Sequence, residues 1–379
     1  MGFFRFIWRN AIRNKRRTGL TVLSIGFSLF LLTALLTFMD VLMHPPMLDE
    51  SALRVIVTRT TSIADAMPLS YRDKIRRVPN IEHVSALQWF NGVYKDPDFF
   101  FANFGVEANE IFEIYTEQKI SPEQKAAFIA TRTGTVPSEA LAKRFGWKVG
   151  DTITLQGTIF PVDLELKIVG TFADPLNQET MYFRYDYMDE ALGGLGEVGA
   201  FAVKAKDAAS VPMAGQAIDA LFRNSPAETK TETEKAFVLG FISMLGNVQT
   251  IIGSVAGVVV FTMLLVAVST MAMTVRERLR EVAILKTIGY TQSIILALVM
   301  GEALLISTVG TVLGLLLAES LKYADMNRIT QGFITQFVVL PSTYASVVGA
   351  GLVIGLVAGF LPARQAVNLT ITGAMRRLD

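Results

Sequence analysis

The sequence contains no cysteine and only two histidines, His44 and His83. The first absence excludes a disulfide framework, thiolate metal sites and cysteine nucleophiles. The second leaves little from which to build a histidine-based catalytic or metal centre. His44 sits beside two prolines and His83 in a strand-like segment, so both read as ordinary structural residues. A phosphate-cradling G-x-x-x-x-G-K-[ST] loop does not occur, nor do H-E-x-x-H or G-x-S-x-G, so no enzymatic centre, metal or bound cofactor is expected in these residues. Charge is also sparse: 18% of residues are charged and the net charge is +1. That balance gives no global basic field for nucleic acid.

Apolar residues are what the chain has in abundance, at 51%, and much of that share falls in four long runs. The first, Leu20 to Leu42, is broken only by Asp40. Its roughly 23 residues match a hydrocarbon core of about 30 Å at 1.5 Å rise per residue. Basic residues precede it as they would a signal peptide, but the run exceeds the usual h-region of about 7–15 residues and no small-x-small cleavage site follows. A retained anchor is therefore expected. Three further runs, about 250–274, 293–318 and 344–361, are each long enough to span.

Orientation follows from short flanking segments. Arg5, Arg9, Arg13, Lys15, Arg16 and Arg17 precede the first run, Arg276, Arg278, Arg280 and Lys286 follow the second, and Arg364, Arg376 and Arg377 follow the fourth. Both termini and the loop after the second run are thus expected in the cytoplasm, with the segment between the first and second runs outside it. The expected fold class is a membrane protein with four transmembrane α-helices, arranged 1+3, and an α+β extracytoplasmic domain between helices 1 and 2. Residues 1–43 would form an interfacial helix and the first span, 44–226 the outer domain, and 227–379 the remaining three spans with the segments that join them.

Glycines four apart recur in the later spans: Gly253 and Gly257, Gly310 and Gly314, and Gly351, Gly355 and Gly359. Such spacing lets helix backbones approach closely where lipid offers no hydrophobic drive. Glu302 is the one acid well inside a span, and such a group is expected to pair or to line a cavity. At the N-terminus Arg5, Trp8, Arg9 and Arg13 interleave with phenylalanines, a composition suited to a helix lying in the headgroup region.

The segment between the first two runs reads as a packed domain. Arg54–Thr58 has strand character, and Leu164, Leu166 and Ile168 alternate with Asp163, Glu165 and Lys167 in the period of a half-buried strand;. Thr152–Leu155 is its expected partner. Ser138 to Phe145 reads as a short helix with Ser138 as N-cap and Gly146 past its end. Trp89-Phe90 and Phe99-Phe100-Phe101 could be core strands or an apolar contact surface. Ser225-Pro226-Ala227-Glu228 has capping-box form, so a helix is expected to begin there. Unbroken to Arg278 it would be about 80 Å long.

The most informative segment is VRERLREVAILKTIG, Val275 to Gly289. On a helical wheel Val275, Leu279, Val282 and Ala283 form one face, Arg276 stacks with Arg280 and Glu277 with Glu281, and Gly289 is placed to end the helix. Arginines alone could serve to anchor a span. Alternating signs beside an apolar stripe fit docking in a partner's groove better.

RERLREVAILKTIGY followed by Gly301-Glu302-Ala303, together with SEALAKRFGWKVGDTITL and LELKIVGTF, resembles the MacB/FtsX family of ABC transporter permeases. The resemblance implies a dimer, with a second copy or a paralogue, paired with two copies of a separate ABC ATPase that binds ATP and Mg. No cofactor would be bound by this chain itself, and a periplasmic adaptor is a further possible partner. Arg276, Glu277, Arg278, Leu279, Arg280, Glu281, Val282, Leu285, Lys286 and Gly289 would form the ATPase-coupling region. The implied location is the bacterial inner membrane. The implied function is export or extraction of a hydrophobic or amphiphilic substrate: a lipid, lipoprotein, peptide or small drug-like molecule. The alternative is a non-transporting signal transducer of FtsX type that regulates cell-wall hydrolases. That type carries a smaller outer domain than the roughly 190 residues here.

Overall fold

The computed structural model describes residues 3–97, 99–244, 246–324, 326 and 337–368. The chain divides into a helical unit (Met1–Met43, Gly246–Ala324 and Phe337–Asp379) and an inserted unit (His44–Leu245 with Asp325–Gln336). Helix α1 (Phe3–Ile12) is followed by the long apolar α2 (Lys15–Met43).

The inserted unit contains β1 (Arg54–Arg59), β2 (Met67–Pro68), α3 (Tyr71–Ile75), β3 (Ile81–Trp89), β4 (Ala102–Val106), α4 (Ile111–Ile114), α5 (Pro122–Ala130), β5 (Gly134–Pro137), α6 (Glu139–Phe145), β6 (Thr152–Leu155), β7 (Leu164–Ile168), β8 (Thr180–Arg184), α7 (Tyr185–Ala191), β9 (Glu197–Val198), β10 (Ala200–Ala205), α8 (Val211–Leu221), β11 (Thr229–Thr233) and α9 (Glu234–Met244). Nine strands form one mixed sheet in the order β11-β1-β10-β3-β4-β8-β5-β7-β6. The β4–β8 and β5–β7 pairs are parallel and the other neighbours antiparallel.

Strand alternation divides the core between the two sheet faces. Val55, Val57, Met181, Phe183, Phe201 and Val203 point into one large cluster with residues of α3, α6, α7 and α8. The intervening Tyr182 packs oppositely with Ile111, Phe112, Phe128 and Phe172, and Ile56 and Ala202 pack with Ile114. Helices thus cover both faces of the sheet. The expected short helix is α6, with the Ser138 hydroxyl accepting from Leu141 N–H and Gly146 left-handed at φ 69°. In β7 the residues alternate buried and exposed, and β6 pairs with it antiparallel. Of the aromatic segments, Phe90 and Phe101 are core residues, whereas Trp89, Phe99 and Phe100 retain exposure.

The unbroken helix from Ser225 is not formed. Thr229–Thr233 instead pairs with β1 as an edge strand, Thr231 opposite Val57. Its three threonines suit a strand better than a helix. The Glu228 carboxylate accepts from Asn224 N–H rather than completing a cap around Ser225. The helix begins again at Glu234 and ends at Met244, with left-handed Gly246 (φ 92°) before the next helix.

That next helix is α10 (Val248–Glu277), followed by α11 (Leu279–Thr287), α12 (Gln292–Ser320) and α13 (Pro341–Asn368). Helices α2, α10, α12 and α13 hold four spans long and apolar enough to cross a membrane. In α10 the buried residues Ile252, Ala256, Met263, Ala267 and Met271 lie on one stripe, and most of the intervening side chains face outward;.

Candidate functional site

Two glycine series bring spans together and one does not. A Cβ on Gly310 would lie 2.5 Å from Ile25 Cγ2, and one on Gly314 would lie 2.7 Å from the Gly26 carbonyl, so α2 and α12 touch nearly backbone to backbone. Gly351, Gly355 and Gly359 give the same close approach of α13 to Thr311, Leu304 and Ala303 of α12. The Ser307 hydroxyl also donates to the Gly351 carbonyl. Gly253 and Gly257 meet no neighbour within 4 Å. They therefore do not pack helices within this chain, contrary to the sequence expectation.

At one end of this bundle, α11 and the adjoining end of α10 are tied by polar contacts to Arg13 and to α2, α12 and α13. Val275 belongs to the end of α10, and Arg278 (φ −104°, ψ 12°) makes the turn that separates α10 from α11. One helix over residues 275–289 is therefore replaced by two, and left-handed Gly289 (φ 96°) follows the second. The Arg278 guanidinium donates a 2.6 Å hydrogen bond to Glu302 of α12. The Arg278 and Glu302 side chains are 15% and 7% exposed, and a charge so far from water requires such a partner. Glu281 pairs with Arg13, and Glu277 with Arg17 at the start of α2. Lys286 Nζ donates to the Val367 carbonyl near the end of α13 at 2.8 Å, where a cation complements the helix dipole. Val282 packs with Ile295 and Val367 beneath these polar links.

The glutamates of the amphipathic segment thus pair with arginines of the same chain. What α11 and the turn after it leave exposed is apolar: Ile284 (57%) on the helix, and Ile288 (69%) and Tyr290 (45%) just past its end, while Arg276 near the end of α10 is also exposed. Leu279 and Leu285 are half-buried. Arg17, legible in the sequence only as a flanking charge, is a partner of Glu277, and Ile284, Ile288 and Tyr290 lie outside the apolar face of Val275, Leu279, Val282 and Ala283 that the helical wheel marks. The side chains of Arg5 and Arg280 lie outside the described residues.

Helix α1 packs against the bundle. Ile7 and Ala11, four apart, are buried, and Ile7 fills the space a side chain at Gly301 of α12 would need. Trp8 and Arg9 face outward. Among the described residues, no group of three or more His, Cys, Asp or Glu side chains could hold a metal ion.

Residues 18–221 match the family model described as MacB-like periplasmic core domain, and residues 253–371 match FtsX-like permease C-terminal. A pyoverdine export ATP-binding/permease protein of Pseudomonas syringae pv. tomato is 26% identical over 67% of this chain. This chain spans 38% of that relative's length. An uncharacterized ABC transporter permease of Bacillus subtilis, YvrN, is 24% identical over 88% of this chain and 80% of its own. Among solved structures, the periplasmic region of MacB from Actinobacillus actinomycetemcomitans aligns with a TM-score of 0.39 at 12% identity, covering 49% of this chain and 90% of that one.

Proposed function

The chain belongs to the MacB/FtsX-like family of ABC transporter permeases, and from that premise we propose that it is the membrane subunit of an exporter driven by a separate ATPase. The observation that carries the reading is the fastening of the α10–α11 junction: Glu277 of α10 to Arg17, Arg278 of the turn to Glu302 on α12, Glu281 of α11 to Arg13, and Lys286 of α11 to the Val367 carbonyl on α13. A displacement of α11 and the adjoining end of α10 is then passed to Arg13 and to α2, α12 and α13, because each link is charged or charge-assisted.

The ATPase docks on exposed Ile284, Ile288 and Tyr290 and on Arg276. ATP and Mg are held by that partner, in two copies, and two permease chains complete the complex. The outward Gly253–Gly257 face of α10 is the surface left for the second permease. Both termini and α11 lie in the cytoplasm, the inserted unit lies outside the inner membrane, and the cargo is amphiphilic. The name of the pyoverdine relative supports export as the direction.

Absence of native cysteine makes a direct test simple. A single cysteine at Ile284, cross-linked in membranes, should capture a P-loop ATPase, whereas one at outward-facing Phe261 should not. Failure of the Ile284 cysteine to capture any ATPase, in cells where the complex is active, would remove the docking assignment.

A further inference from the structure

Strands β4 and β8 run side by side and parallel, with Val106 opposite Arg184 at their carboxyl ends. Beyond Val106 the chain passes to the sheet face where Ile111 and Phe112 pack against Phe128 and Phe172. Beyond Arg184 it enters α7, whose Tyr185 and Met188 are buried in the cluster on the opposite face. Adjacent parallel strands whose continuations part to opposite faces leave a crevice outside their carboxyl ends, and this is where open α/β sheets bind ligands.

A cleft of about 1050 Å³ occupies that position. Its size is at the upper end of the range for small-molecule sites, about 300–1,000 Å³. Glu107 and Asn109 enter it from beyond β4, Arg184, Asp186 and Asp189 from β8 and α7, and Arg72 and Arg76 from α3. Val106 and Ile129 supply apolar wall.

The charges are mixed, and all but Asp189, whose carboxylate accepts from Gly196 N–H, are already in ion pairs. Arg72 bonds Glu107, Arg184 bonds Asp186, Arg76 bonds Glu110, and Arg132 bonds Glu190 on the rim. A cleft built to hold a phosphate or a lipid headgroup would carry an excess of arginine. One for a cation would carry unpaired acids. Here guanidinium forks and carboxylates line the same cleft, and the outer members are open to exchange partners: Arg76, Asp186 and Glu190 side chains are 43%, 55% and 66% exposed. We infer that this cleft binds a short peptide, or a peptide-like zwitterion, that carries both a cationic and an anionic group. The arginines take its carboxylates, the acids its ammonium groups, and Asn109 an amide. The site is distinct from α11 and involves no ATPase, so its test reads binding alone and is independent of the transport reading.

The full-length protein in detergent is titrated with tetrapeptides that combine Lys, Glu and Ala, with binding followed by calorimetry. Peptides carrying both Lys and Glu should bind saturably, and salt should weaken them. Asp186→Asn with Arg76→Gln should weaken them by about tenfold, as expected for losing charged hydrogen bonds. Glu190→Gln, on the rim, provides a second variant should the first unfold, and Lys230→Gln on β11 should change nothing. No saturable binding by any mixed-charge peptide would overturn the inference. So would equal binding of all-Ala or single-sign peptides, or affinity unchanged in both cleft variants.

Discussion

Arg278, at the turn between two helices, hydrogen-bonds Glu302 of a third at 2.6 Å with both side chains largely withdrawn from solvent. The pair fixes the end of α10 to α12 where α11 begins. Breaking such a pair by removing one partner costs about 3–5 kcal/mol, whereas replacing both with apolar groups is often neutral. Arg278→Met or Glu302→Leu alone should therefore lower the thermal midpoint in detergent substantially, and the double variant should recover most of it. A double variant as unstable as the worse single one would mean that the pair is not an isolated unit.

The Arg13–Glu281 contact is more exposed, at 61% and 41% of the two side chains, and pairs of that kind contribute about 0–1 kcal/mol. Its reversal should leave stability nearly unchanged and act on coupling instead. Glu281→Arg should reduce ATPase stimulation by the permease, and adding Arg13→Glu should restore it. Steady-state ATPase rates of the reconstituted complex check this. No rescue by the swap would separate Arg13 from the coupling path.

Glycine substitutions should divide by location. Gly314→Val places atoms against the Gly26 carbonyl and Leu29, so overpacking should cost about 1–3 kcal/mol. Gly253→Leu meets no neighbour in this chain, and its thermal midpoint should hold while the dimer fraction in light scattering falls. Equal destabilisation by both would contradict the packing described.

In the inserted unit Arg54 lies between Glu117 and Glu234, 2.7 Å from each, with its guanidinium 4.5 Å from the Tyr115 ring centre. Burial holds the Glu234 carboxyl above its ordinary value, against the pull of Arg54. A carboxyl raised in this way supports the fold fully below its unfolded pKa and loses that support as pH rises through the folded one. Arg54→Met removes the opposing pull and raises Glu234 further. Its deficit in thermal midpoint should be largest near neutral pH and shrink on acidification toward the ordinary carboxyl value. Intrinsic tryptophan fluorescence follows this, and a deficit independent of pH would refute it.

Much of this fold was legible where the signal is local. Hydropathy located the four spans, Ser138 and Gly146 bracketed α6, and the alternation of Leu164, Leu166 and Ile168 defined a strand. Ser225–Glu228 misled because pairing with β1, far away in sequence, decides the conformation of Thr229–Thr233. Glu277 and Glu281 were legible as a charged face, but their partners Arg17 and Arg13 lie 260 and 268 residues earlier, beyond any local pattern. The cleft at the ends of β4 and β8 draws on α3, α5 and α7 as well, so no short motif marks it.

A separate ATPase acting through α11 is the proposed driver of this chain. The most direct measurement is ATP hydrolysis by the complex purified from its own cells in gentle detergent, with and without Ile284→Asp. A stoichiometric P-loop ATPase should accompany the native chain, and its permease-stimulated hydrolysis should be lost in the variant while the thermal midpoint of the permease is kept. A preparation that preserves other membrane complexes but contains no ATPase, or hydrolysis indifferent to Ile284→Asp, would contradict the account.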